Sequence, residues 1–254
     1  MHKIYYFSGT GNTLAAAKQI AEQLGENVEL IPIASLPRGT TVHFGDAETI
    51  GIFHPVYCFG IPALVQNFLE RLKVLPKGAK QPYIYSLCTS SGLLGSAHLI
   101  MEQKLKKQGY KLNAFFHIPM VSNYIPRAKA PNPRRLEKIL NTAEKKIHAA
   151  GEKILARKNR RPIHVFPLDM FGEIAGIRAV SFMNDYDKYF WLNESCDGCE
   201  LCEKICPAKA ITMVDRKPKF NRKTCIGCFC CQEFCPKGAL EAKRPPIARL
   251  LAKQ

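Results

Sequence analysis

The sequence predicts an α/β protein: a doubly wound, five-stranded parallel sheet followed by a separate cysteine-rich module. Three observations predict it. Short apolar runs alternate with stretches of helical periodicity over the first 160 residues. A turn rich in glycine and hydroxyl residues follows the first of these runs. Nine of the eleven cysteines fall between Cys196 and Cys235, leaving only Cys58 and Cys88 upstream. A chain of 254 residues is long enough for one large domain or two ordinary ones, and this crowding decides for two.

Taken in order, the runs KIYYF (3–7), VELIPI (28–33), TIGIFHP (49–55), YIYSLC (83–88) and AFFHIP (114–119) carry the strand pattern. Helices are expected at 12–24, 61–73 and 95–108, each bounded by turn residues. A fourth helix, about 133–157, opens with Asn132 as N-cap and Pro133 in the first turn. Its Leu136, Ile139, Leu140, Ala143, Ile147, Ala150 and Ile154 recur every three or four residues and are expected to form one buried stripe on the sheet. Residues 162–190 contain Pro162, Pro167, Gly172 and Gly176 among many apolar and aromatic residues. Such a bridge is too apolar for a free linker and is expected to pack against both parts.

The net charge of +16 is concentrated: residues 111–161 hold thirteen basic and three acidic residues, a net +10. A basic helix face of this kind suits a solvated surface or a docking patch. The stretch ARKNRRP (156–162) raises a nucleic-acid reading, disfavoured because the charge lies on an amphipathic helix with no recognised DNA-binding motif. Neither a leader peptide nor a transmembrane run is read, so the chain is expected to be cytoplasmic, where clustered cysteines bind metal more often than they form disulfides.

The module contains a repeat. CDGCELCEKICPAKAI from Cys196 aligns with CIGCFCCQEFCPKGAL from Cys225, each reading C-x-x-C-x-x-C-x-x-x-C-P. Three thiolates at intervals of three wrap one iron–sulfur cluster, and the fourth, before proline, reaches the other. That crossing assigns Cys196, Cys199, Cys202 and Cys235 to one 4Fe-4S cluster and Cys225, Cys228, Cys231 and Cys206 to a second. Cys230 falls opposite Leu201 and is the odd thiol. Zinc ribbons need neither the third cysteine nor the proline. A radical enzyme would need C-x-x-x-C-x-x-C, which is missing.

The first strand ends in FSGTGNT, whose Ser8, Gly9, Thr10, Gly11, Asn12 and Thr13 offer backbone N–H groups and small polar side chains to a phosphate at a helix N-terminus. It has no lysine, unlike a nucleoside-triphosphate loop, and lacks the third glycine of a dinucleotide fingerprint. His54 is the one histidine beside a candidate loop; Cys58 and Cys88 read as buried hydrophobes.

Two resemblances follow from these motifs. Residues 192–240 resemble a bacterial two-cluster ferredoxin, which implies a small pseudo-symmetric α+β fold. SGTGNT resembles the flavodoxin phosphate loop, T/S-x-T-G-x-T, at Ser8, Thr10, Gly11 and Thr13, a likeness extending over roughly 1–160. It implies bound FMN at the switch point of the sheet. By the same likeness the flavin ring lies against Pro55, Val56, Tyr57, Cys58, Phe59 and Gly60 after the third strand, and Thr89, Ser90, Ser91 and Gly92 after the fourth. Either Tyr57 or Phe59 is expected to stack on it. The expected parts are a flavodoxin-like domain at 1–160, a packed connection at 161–190, a ferredoxin-like domain at 191–241 and a tail at 242–254.

The whole resembles flavodoxin–ferredoxin fusion proteins of anaerobic prokaryotes. It implies electron transfer between two 4Fe-4S clusters and FMN, with redox protein partners. Flavodoxins and ferredoxins are typically acidic and this chain is basic, so acidic electron carriers are the expected partners. A flavin-dependent oxidoreductase acting on a small molecule is the alternative.

Overall fold

The computed structural model describes residues 1–122, 131–160, 190–221 and 223–242. They fall into two compact units, one built on 1–121 with 131–160, the other on 190–242. The segments 161–189 and 243–254, and with them most of the expected bridge and tail, lie outside the described residues.

In the first unit, β1 (His2–Tyr6), β2 (Val28–Pro32), β3 (Thr49–Pro55), β4 (Tyr83–Ser90) and β5 (Ala114–Pro119) form one sheet in the order β2-β1-β3-β4-β5. Every neighbouring pair is parallel. This 2-1-3-4-5 order is the flavodoxin-like doubly wound arrangement, with its switch point between β1 and β3. The central strands β3 and β4 are buried almost throughout, as a sheet covered on both faces requires. Between the strands run α1 (Asn12–Leu24), α2 (Ala63–Glu70) and α3 (Ala97–Lys107), and α4 (Pro133–Leu155) follows β5.

One face of the sheet meets α1 and α4 through Ile4, Phe53, Tyr85, Leu87 and Phe116, packed with Ala16, Ala17, Ile20, Ile147 and Ile154. On the other, Tyr5 packs on Phe68 of α2 and Phe115 on His98 of α3.

The expected stripe on α4 needs correction. Ala143, Ile147, Ala150 and Ile154 are buried, but Leu136 is 36% and Leu140 47% exposed, and Ile139 is half-buried. The reason is length. The 23 residues of α4 span about 34 Å, whereas the 13 of α1 span about 20 Å. The six residues of β5 span about 20 Å as well. The C-terminal end of α4 is fixed at the amino edge of the sheet, where Arg160 pairs with Ala114 and Tyr83 Oη donates to the Lys158 carbonyl (2.6 Å). The surplus therefore overhangs the carboxyl edge.

The second unit pairs β6 (Phe190–Leu192) with β9 (Leu240–Ala242) and β7 (Ile211–Val214) with β8 (Lys217–Phe220), both antiparallel. Two single-turn helices, α5 (Leu201–Lys204) and α6 (Cys230–Glu233), lie 29 residues apart. The sequence repeat is also a conformational repeat. Gly198 and Gly227, Glu200 and Phe229, and Lys209 and Gly238 are matched pairs, and all six have positive φ.

Candidate functional site

Three loops converge at the carboxyl edge of the first unit. In the first, Phe7 extends β1 by donating its N–H to the Phe53 carbonyl (2.9 Å). The chain then turns, with Ser8 Oγ accepting from Gly11 N–H (3.1 Å). Gly11, at φ +104°, is the N-cap of α1 and makes no side-chain cap. The first-turn amides of a helix have no intrahelical acceptor, and no acidic residue occupies this turn. The loop is fastened by its neighbours: Asn12 Nδ2 donates to the Val121 carbonyl (2.9 Å), and the Thr13 and Thr89 hydroxyls bond to each other in the interior (2.8 Å). Gly9 is buried, and Ser8 and Thr10 are half-buried.

The second loop continues the β3–β4 ladder, with Val56 N–H on the Thr89 carbonyl (2.8 Å). Tyr57 and Gly60 then exchange both backbone bonds (3.0 and 2.9 Å) around Cys58 (φ +45°) and Phe59 (φ +64°). Two successive positive φ values make a tight turn that normally calls for Asn or Gly, and each such residue costs about 1–3 kcal/mol. Its anchor is the Phe59 carbonyl, which accepts both the N–H (2.8 Å) and the Oγ (3.2 Å) of Ser96. A Cβ on Gly95 would lie 2.2 Å from that oxygen, so only glycine fits there. The two candidate rings are thereby separated. Tyr57 is half-buried and edge-on to Phe7 (centroids 6.1 Å apart), while Phe59 is 44% exposed.

In the third loop Ser90 Oγ accepts from Gly92 N–H (3.1 Å) and bonds His117 Nε2 (2.7 Å), and Ser91 and Gly92 are exposed. His54 lies beneath these loops, fully buried, with Nδ1 3.0 Å from the Pro55 carbonyl and Nε2 without a hydrogen-bond partner. Burial lowers its pKa to about 4, so it is neutral at physiological pH. Cys88 is fully buried, and burial raises its thiol far from thiolate formation.

In the second unit, among the described residues, no three His, Cys, Asp or Glu side chains converge tightly enough to hold a single ion. Nine thiols instead line two cavities. Cys196, Cys199, Cys202 and Cys235 surround one, walled by Leu192, Met213 and Leu240. Cys206, Cys225, Cys228 and Cys231 surround another, together with Cys230, walled by Phe190, Ile211 and Phe220. Each cavity thus takes one cysteine from the opposite motif, Cys235 in the first and Cys206 in the second. The fourth cysteines are held alike: Ala210 N–H donates to Cys206 Sγ and Ala239 N–H to Cys235 Sγ, both at 3.3 Å.

Residues 195–239 match the 4Fe-4S dicluster domain family.

No curated protein matches the chain. Among solved structures, rubredoxin oxygen:oxidoreductase from the anaerobe Desulfovibrio gigas is similar at 19% identity and a TM-score of 0.37, over 61% of this chain and 37% of that one. The chain therefore spans well under half the length of that protein. Megasphaera elsdenii flavodoxin, in its two-electron reduced form, is also similar at 19% identity (TM-score 0.37), over 57% of this chain and 99% of that one. A flavone reductase is similar at 14% identity (TM-score 0.42), over 87% and 80% of the two chains. A dicluster-type iron–sulfur segment together with a flavodoxin-like fold implies redox work.

The electrostatics of the dicluster segment suit a cationic guest. Burial pushes the Cys228 and Cys231 thiols up, and the other thiols nearby add to it: Cys206 and Cys230 act on both. Bare thiolates packed this closely are unfavourable, and a bound cationic group would supply the compensating charge. The fifth thiol, Cys230, lines the second cavity too. Burial raises its pKa to about 11, and its Sγ–H points to the Ile205 carbonyl (3.7 Å). It is therefore a protonated donor.

Several supporting residues were invisible to motif reading. Ser96 and Gly95, which anchor the Phe59 turn, and Val121, which receives Asn12, act through contacts to or from the backbone that carry no composition signal. Phe190 and Phe220 come from short strands outside the cysteine motifs.

Proposed function

We propose that the protein is an electron-transfer flavoprotein, relaying electrons between two 4Fe-4S clusters and one FMN. The observation that carries it is the crossed thiol pattern: each cavity takes its fourth cysteine from the opposite motif, as a pair of interdependent clusters requires. Clusters exchange single electrons and a flavin one or two, so their union couples one-electron carriers to a two-electron store. In this reading residues 1–160 form the FMN domain and 191–241 the iron–sulfur domain, with 161–190 connecting them and 242–254 as a tail.

The chain's residues supply binding and orientation. The amides at the start of α1 and the hydroxyls of Ser8 and Thr10 receive the FMN phosphate. Phe59 offers the exposed ring face to the flavin, and Gly60, Ser91 and Gly92 border its polar edge. For partners, the overhang of α4 presents Arg134, Arg135 and Lys138 beside exposed Leu136 and Leu140. A basic rim around an apolar centre fits an acidic electron carrier.

Stopped-flow mixing of reduced protein with an acidic ferredoxin tests this. The second-order rate is expected to fall steeply with salt and to drop about tenfold in a triple Arg134→Glu, Arg135→Glu, Lys138→Glu variant. A salt-insensitive rate rejects the docking role. A small-molecule oxidoreductase is the second reading, favoured by the exposed Phe59 and Leu93 at the flavin edge; saturating turnover of one small oxidant would select it.

A further inference from the structure

We propose that the two thiol cavities are electrochemically unequal: the one ringed by Cys196, Cys199, Cys202 and Cys235 holds the higher-potential cluster, is reduced first, and is the port through which this unit exchanges electrons. The proposal rests on the reading that both cavities hold 4Fe-4S clusters.

Reduction adds one negative charge to a group already anionic through its four thiolates. Surroundings that solvate charge favour it, and apolar burial opposes it. The repeat makes the ligand spacing equal, and the N–H···S bonds from Ala210 and Ala239 have the same length. What differs is the wall. In the first set Cys199 is exposed and the other three are half-buried; in the second, Cys206 and Cys231 are buried. Apart from its thiols, the second cavity has no ionisable side chain in its lining among the described residues. Phe190 closes it, stacked on Phe220 (5.4 Å, 3° between planes) and packed on Phe229 (5.5 Å).

The first cavity is lined instead by Asp197, Glu200 and Lys237. Its two carboxylates are matched by lysines, Asp197 by Lys237 (3.6 Å) and Glu200 by Lys204 (3.3 Å). Two further cations reach the ligand loop: Arg216 Nη2 donates to the Asp197 carbonyl (2.8 Å) and Lys217 Nζ to the Cys196 carbonyl (3.3 Å). Exposure and excess positive charge both raise the potential of this site relative to its twin. In the step itself a one-electron iron–sulfur carrier is oxidised by one electron and this cluster is reduced by one, with no proton or bond exchanged.

The test is a potentiometric titration of anaerobically purified, cluster-loaded protein, followed by electron paramagnetic resonance. Two resolved reduction steps are expected. Lys237→Glu and, independently, Lys217→Glu are expected to move the first step to more negative potential and leave the second in place; both side chains are exposed, so folding is spared. Reduction of both clusters in one step, or movement of the second step alone, overturns the proposal. Iron measured on the same sample separates the two levels. A content well short of about eight per chain sinks the two-cluster reading with it, whereas eight irons and a single step sink only the ordering.

Discussion

Cys230 and Cys231 are adjacent, equally buried at 8% exposure, and line the same cavity, yet the repeat gives them opposite roles. Cys231 aligns with Cys202, and Cys230 with Leu201. Cys230→Ala is expected to retain both clusters, and Cys231→Ala to lose about half the bound iron; iron analysis and visible absorbance check both. At the flavin edge, Phe59→Ala is expected to weaken FMN binding about tenfold or more, read by fluorescence titration of the apoprotein, because a lost aromatic stacking contact costs about 0.5–1.5 kcal/mol beyond its buried area. Tyr57→Ala should instead lower stability, since that ring packs on Phe7. At this scale the grouping of the cysteines around two cavities was legible, because the repeat fixes their spacing along the chain. The turn at Cys58 and Phe59 was not. Neither residue favours positive φ, and the conformation is imposed by Gly95 and Ser96, more than 30 residues away.

The strands and helices of the first unit follow the sequence pattern closely. β3 and β5 have the expected bounds, α1 runs from Asn12 to Leu24 as expected, and β4 extends two residues further, to Ser90. Alternating short apolar runs and helical stripes leave little freedom once a parallel sheet must be covered on both faces. α4 is where the reading failed. Periodicity identifies which face of a helix is apolar, but how much of that face is covered depends on the lengths of the neighbours. The consequence is measurable. Ile147→Ala, at a buried position against α1 and the sheet, is expected to destabilise the first unit by about 2–5 kcal/mol. Leu140→Ala, on the overhang, is expected to change stability by less than about 1 kcal/mol. Urea unfolding of the two variants distinguishes them, and equal losses would return the overhang to the core.

At the scale of the whole molecule, two units carry chemistry that neither needs for its fold class: a sheet whose switch point opens between β1 and β3, and a duplicated cysteine module with two crossed thiol sets. The module is small and rich in loops, with ladders of three and four residue pairs, so ligation is expected to supply much of its stability. Among the described residues no helix is long and apolar enough to cross a membrane. The inequality of the two cavities is written partly inside the repeat, where Asp197 and Glu200 stand opposite Ile226 and Phe229. The flanking strands add the rest, Phe190 and Phe220 beside one cavity and Lys217 beside the other. The most direct test of the relay is the cofactor content of anaerobically purified protein, by metal analysis, acid-labile sulfide and flavin extraction. About eight iron, about eight sulfide and one FMN per chain is the expected result; zinc in place of iron, or a chain without flavin, would contradict it.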